Sequence, residues 1–173
     1  MNFGQMKEAF CSYTGITDDV DNAELALWLN EAQLDLSWEL SAIGSQQVEG
    51  SVGTVFTPPD TWLTVIGGSG TYRVTPDGNI ILEEDGPLTL YYRQLPEEFT
   101  GADSGETSGL HQALHYLLPI YAASRYWDKE AEGDGEEIAQ ANRWLSYYYQ
   151  GKNLAKSRLF GMNEPMTAWE IRG

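Results

Sequence analysis

Apolar residues recur at helical spacing at both ends of the chain, and the pattern changes in between. Phe3, Met6, Phe10 and Tyr13 fall three or four apart and predict a helix over about 2–13, with Gly15 as its stop. Leu25, Trp28, Leu29, Ala32, Leu36, Leu40 and Ile43 form a second stripe, which Leu27, Leu34 and Trp38 widen. That width predicts a helix over about 22–43 buried on more than one side, with Asp21 and Glu24 spaced as an acidic capping box.

From about 46 to 99 β-branched residues alternate with turn signals. The segments VEGSVGTVF, WLTVIG, TYRVT, NIILEE and LTLYYRQL read as strands. Gly67-Gly68, Asp77-Gly78 and Asp85-Gly86-Pro87 read as the turns between them, with Pro76-Asp77-Gly78 closing a hairpin. The spacing predicts one small antiparallel sheet of four or five strands. TGADSGETSG, residues 100–109, reads as a flexible polar link.

Helical periodicity then returns. LHYLLPIYAASRYW is apolar nearly all round and predicts a central helix over about 108–131, kinked at Pro119. Ile138, Ala141, Leu145, Tyr148, Lys152, Ala155 and Leu159 step by three and four and predict a fourth helix over about 135–159, antiparallel to the third. Gly151 weakens that helix locally.

The expected fold is therefore α+β: a bundle of about four helices (1–45 and 106–159), an inserted β-rich subdomain and link (46–105), and an extended C-terminal arm (160–173). Phe160, Met162, Met166, Trp169 and Ile171 make that last segment too apolar for a plain solvated end, and Pro165 blocks a helix there. In YYY, Tyr148 falls on the helix seam. Tyr147 or Tyr149 then reaches another surface, and contacts between subunits are the expected use of this pair.

Charge sharpens this picture. The chain has 26 acids against 10 bases, a net −16. Residues 1–137 carry 24 acids and 5 bases, whereas 138–173 carry 2 acids and 5 bases, so the acid excess belongs to residues 1–137. Such a surface disfavours adhesion to nucleic acid or anionic membranes. No apolar run approaches the length of a membrane span, and the N-terminus lacks the pattern of a signal peptide. Cys11 is the single cysteine, so there is no disulfide framework.

Catalytic patterns are scarce. His111 and His115 have the i, i+4 spacing that can present two imidazoles to a metal, but Gln112 stands where a zinc protease has its glutamate, and no third ligand is nominated. Asp18, Asp19, Asp21 and Glu24 lack the glycine and late glutamate of a calcium loop and fit helix capping better. Gly67, Gly68 and Gly70 lack the lysine and helix of a phosphate loop. The expectation is a chain without catalytic residues, metal or cofactor.

Four segments in order carry a resemblance: LALWLNEAQLDL (25–36), PPDTWLTV (58–65), LTLYYRQLPEEF (88–99), and ALHYLLPIYAASRYW with the Tyr-rich helix after it. Together they resemble the head-to-tail adaptor, or head-completion, proteins of tailed bacteriophages. The resemblance implies a virion protein that joins the portal ring after packaging. Its expected partners are the portal ring, tail or nozzle proteins, and copies of itself in a ring of about twelve. Double-stranded DNA would pass through the channel without sequence-specific binding, along a wall whose acids do not capture it. The C-terminal arm would dock on the portal with Trp169 as its anchor. Two other classes fit the same residues: another neck or tail-completion protein, and a glycan-binding or wall-degrading virion protein.

Overall fold

The computed structural model describes residues 1–16, 20–131, 133 and 135–159. Its class is α+β, and two compact units divide the chain. Among the described residues one joins 1–40 to 96–159, and the other is Ser41–Leu95. The boundaries thus lie at 40/41 and 95/96 rather than near 45 and 106.

In the helical unit, α1 (Phe3–Thr14) begins with a reciprocal cap: Asn2 Oδ1 accepts from the Gln5 amide at 2.9 Å, and Gln5 Oε1 accepts from the Asn2 amide at 3.0 Å. It ends at Gly15, whose φ of 76° is the left-handed turn glycine accepts without strain. Asp21 Oδ1 accepts from the Ala23 amide at the start of α2 (Asn22–Leu40). This helix stops three residues short of the expected end, because Ile43 already belongs to the first strand.

The expected kinked helix over 108–131 does not form. A 3-10 turn covers Gln112–Leu114, and α3 covers Leu117–Glu130. Pro119 therefore lies in the first turn of α3, where its missing N–H has no intrahelical partner to lose. The fourth helix, α4, covers Gly135–Leu159. It packs antiparallel on α3: Gly151, late in α4, lies against Leu117 at the start of α3, and a Cβ at Gly151 would run into that leucine's methyl. Close helix approach is why a glycine stands mid-helix there.

The core of this unit gathers Phe3, Met6 and Phe10 of α1, Leu25, Leu29 and Leu36 of α2, Leu114, Leu117 and Leu118 around the start of α3, and Tyr148 of α4. Phe10 meets the Tyr126 ring edge-on at 5.9 Å. Each such large side chain contributes about 1.5–3 kcal/mol by burial. Residues 100–107, expected to be a flexible link, are instead tied down. Glu106 accepts from the Thr100 hydroxyl and from the amides of Thr100 and Gly101. The carbonyls of Ser104 and Glu106 accept from Gly4 and Phe3 at the open N-terminus of α1.

The second unit holds six strands in two three-stranded antiparallel sheets, not one sheet of four or five. Strands β1 (Ile43–Gly50), β6 (Gly86–Gln94) and β3 (Trp62–Gly68) form one, in the order β1-β6-β3. Strands β2 (Val55–Phe56), β5 (Ile80–Leu82) and β4 (Tyr72–Val74) form the other, in the order β2-β5-β4. The run read as one strand breaks because β1 ends at Gly50 and Gly53 turns with φ 87° before β2 begins. Gly67 and Gly68, read as a turn, lie at the end of β3 beside a bulge. The Pro76-Asp77-Gly78 hairpin is present: Val74 pairs with Ile80, and Gly78 has φ 83°. Val48, Ile80, Leu82, Leu88 and Leu90 form this unit's own core.

Candidate functional site

The feature that no packing argument absorbs lies on α2. Its acids Glu24, Glu31, Asp35 and Glu39 stand along one flank at steps of seven, four and four. Each meets a cation from α3 or α4: Lys129 at 2.7 Å, Arg125 at 3.1 Å, Lys152 at 2.9 Å and Lys156 at 2.6 Å. On the opposite flank, Asn30 exchanges two hydrogen bonds with the Phe99 backbone, and Gln33 donates to the Glu97 carbonyl at 2.9 Å. The third side is core. These contacts fix the rotation of the helix about its axis and leave one strip uncovered.

Leu27, Leu34 and Trp38 occupy that strip, with 57%, 43% and 54% of their surface exposed. The expectation that they broaden a buried stripe is therefore wrong. Sequence periodicity counted them as core because they are apolar, but the ladder of ion pairs claims the flank between them and the core. The regular spacing of the four acids was the available signal. Over the eleven steps from Leu27 to Trp38 the strip runs about 16 Å along the helix.

On α4 the structure buries Tyr148, Lys152 and Ala155 of the expected seam, but exposes Ile138 and Leu159 at its ends. Tyr147 and Tyr149 point to opposite flanks of Tyr148 and are both exposed. Tyr147 belongs to a row with Arg143, Leu154 and Arg158 at steps of four, seven and four. Arg143 donates to the Tyr147 hydroxyl at 3.1 Å and lies over its ring. Neither Arg143 nor Arg158 meets a carboxylate among the described residues. Phe160, Met162, Met166, Trp169 and Ile171, the expected portal-docking arm, lie outside the described residues.

The chemical candidates do not converge. His115 is buried, and its Nε2–H donates to the Leu110 carbonyl, so its Nδ1 accepts from the Met1 amine at 2.8 Å. His111 spends its Nδ1 on the Ala113 amide as the cap of the 3-10 turn. The described residues contain no group of three or more His, Cys, Asp or Glu placed to hold a metal. Two of the shifted titrations belong to the contacts between α2 and α4. Burial, then the hydrogen bond to Asp35, drives the Tyr148 phenol far above its usual range. A hydrogen bond from Lys156 leads in holding Glu39 below the carboxylate range.

The second unit carries a cleft of about 520 Å³ lined by Pro58, Pro59, Asp60, Trp62, Asp77 and Asn79, among others. The Trp62 ring lies flat on Tyr92, 3.8 Å between centroids and 6° apart, and packs against Phe56. One face of the Trp62 ring is thus taken by Tyr92 within the unit. Among the described residues no helix is long and apolar enough to cross a membrane. No protein-family model matches the chain, and no curated protein matches it either.

Proposed function

We propose that the chain is a structural virion protein, a head-to-tail adaptor of a tailed bacteriophage. It joins the portal ring after DNA packaging, extends the DNA channel, and gives tail or nozzle proteins their attachment. The observation that carries this reading is the uncovered Leu27–Leu34–Trp38 strip on a helix otherwise fixed on every side. Three large apolar side chains exposed along one strip of a helix suit an assembly surface. The order of the four sequence segments points the same way. So does the acid excess, which suits a surface that DNA must pass without sticking. The segment from Phe160 to Gly173 is the proposed arm onto the portal, and the virion neck the proposed location.

The test is native mass spectrometry of the protein mixed with the portal ring of its own particle. A complex with many copies on each ring supports the reading, and a protein that ignores the ring overturns it. Deleting 161–173 separates the arm from the rest: portal binding should fall away while the melting temperature holds. Binding to tail tube in place of portal would shift the assignment to a tail-completion protein.

A further inference from the structure

We infer that copies of this chain associate head to tail, the Leu27–Leu34–Trp38 strip of one copy seating on the Arg143–Tyr147–Leu154–Arg158 row of the next. This deepens the proposed function by naming the faces that make a ring. Both faces belong to the helical unit.

Three observations select a second copy as the occupant. The first is spacing. Leu27 and Leu34 are seven residues apart on α2, and Tyr147 and Leu154 are seven apart on α4, so each face offers two apolar side chains about 10 Å apart along a helix. All four are at least two-fifths exposed. Two such rows interdigitate as helix ridges do.

The second is charge. Arg143 and Arg158 stand at the two ends of the α4 row without a carboxylate among the described residues, in a chain where acids outnumber bases. On α2, the segment that Asn30 and Gln33 clamp to the helix presents Glu97 and Glu98 to solvent. Neither glutamate has an ion pair among the described residues. An apolar strip edged by free acids thus faces an apolar row ended by free arginines. The rim charges set direction and register more than affinity.

The third is asymmetry. Two α2 strips placed together would set Glu97 and Glu98 against their like, and two α4 rows would set arginine against arginine. Like-charge contact disfavours both self-complementary pairings. What remains is a contact between unlike faces, which leaves each copy one free face of each kind and propagates into a closed ring or a filament.

The experiment uses two full-length proteins in a Cys11→Ala background, one carrying Leu34→Cys and the other Leu154→Cys. Both positions are exposed, so the parent melting temperature should persist and serves as the folding control. On mixing under mild oxidation the expected product is the mixed disulfide dimer. A single chain carrying both substitutions should give a ladder of covalent oligomers. Arg143→Glu with Arg158→Glu should weaken association about tenfold or more, and Glu97→Arg with Glu98→Arg in the partner protein should restore it. Only same-variant dimers would replace this contact with a two-fold one and overturn the inference, and so would no intermolecular disulfide. Portal binding is scored separately: mixed disulfides in a protein that ignores portal keep this inference and remove the adaptor reading, and portal binding without them does the reverse.

Discussion

Lys152 and Tyr148, one turn apart on α4, donate to the same oxygen of Asp35 on α2, at 2.9 and 2.6 Å. The lysine side chain is only 10% exposed, so this cation is held by one carboxylate oxygen and by Glu39 nearby. Removing it breaks a nearly buried pair and also strips its methylene stem from the interface. Lys152→Ala should cost about 2 kcal/mol, discounted from a fully buried pair because Asp35 reaches solvent, and Tyr148→Phe about 1 kcal/mol. The double variant should lose measurably less than the two together in urea unfolding. Strict additivity would show that the two bonds act independently.

Glu39 gives an acid limb. Its carboxyl titrates below the ordinary value of 4.5, first because Lys156 donates to it. The unfolded chain therefore binds the proton more readily than the folded one. The stabilisation is full above the ordinary value and fades as pH falls through the lower folded one. In melting curves between neutral pH and pH 3, Glu39→Gln should be flatter than the parent at the acid end and less stable near pH 7.

Tyr148 gives an alkaline one. The folded phenol stays protonated well past the usual value of 10, whereas the unfolded phenol ionises there. Its contribution is thus complete below pH 10 and is lost as pH rises above it. Absorbance titration of the folded protein should leave one tyrosine silent until the protein unfolds, and Tyr148→Phe should remove that late step.

Asn30 satisfies both backbone groups of Phe99, accepting from its amide at 2.8 Å and donating to its carbonyl at 2.9 Å. Asn30→Ala should destabilise by about 2 kcal/mol, since two partly buried groups lose partners together. Asn30→Asp keeps only the accepting half and should fall between. A loss below about 0.5 kcal/mol for alanine would mean that water replaces the amide fully.

Leu34 and Leu36 are two positions apart on one helix and should behave as different kinds of residue. Leu36 is fully buried, and Leu36→Ala should cost about 2–5 kcal/mol. Leu34→Ala should stay within about 0.5 kcal/mol in dilute protein and weaken self-association instead. Equal losses would put Leu34 in the core after all.

These contrasts mark what the sequence could reveal. Leu25, Leu29, Leu36 and Leu40 were legible as core because nothing competes with a four-residue apolar rhythm. Leu34 and Trp38 share that rhythm, and beyond the spacing of the acids it takes the partners of Glu31, Asp35 and Glu39, ninety or more positions along the chain, to show that they face out. Pro119 misled for a related reason. Apolar residues on both sides suggested one long helix, and only the 3-10 turn at Gln112–Leu114 shows that the proline opens α3. In the β unit the turn at Pro76–Gly78 was plain from residue type, whereas the division into two sheets depends on which strands pair. Exclusion from the seam sends Tyr147 or Tyr149 to another surface, and the structure exposes both. Arg143 and Arg158 carry no such signal, because a missing ion pair is visible only once the acids are located.

The discontinuity of the helical unit has a consequence for synthesis on the ribosome. When Leu40 has left the exit tunnel, α1 and α2 have neither Leu114, Leu117 nor Tyr148 to bury against. The fifty-five residues Ser41–Leu95 come next and contain all members of their own core. At about 5–20 residues per second the first two helices wait several seconds for α3 and α4, with Trp38 and the leucines of α2 open to a chaperone meanwhile. The β-sheets thus reach their final form first, and the segment synthesised earliest is among the last to be secured.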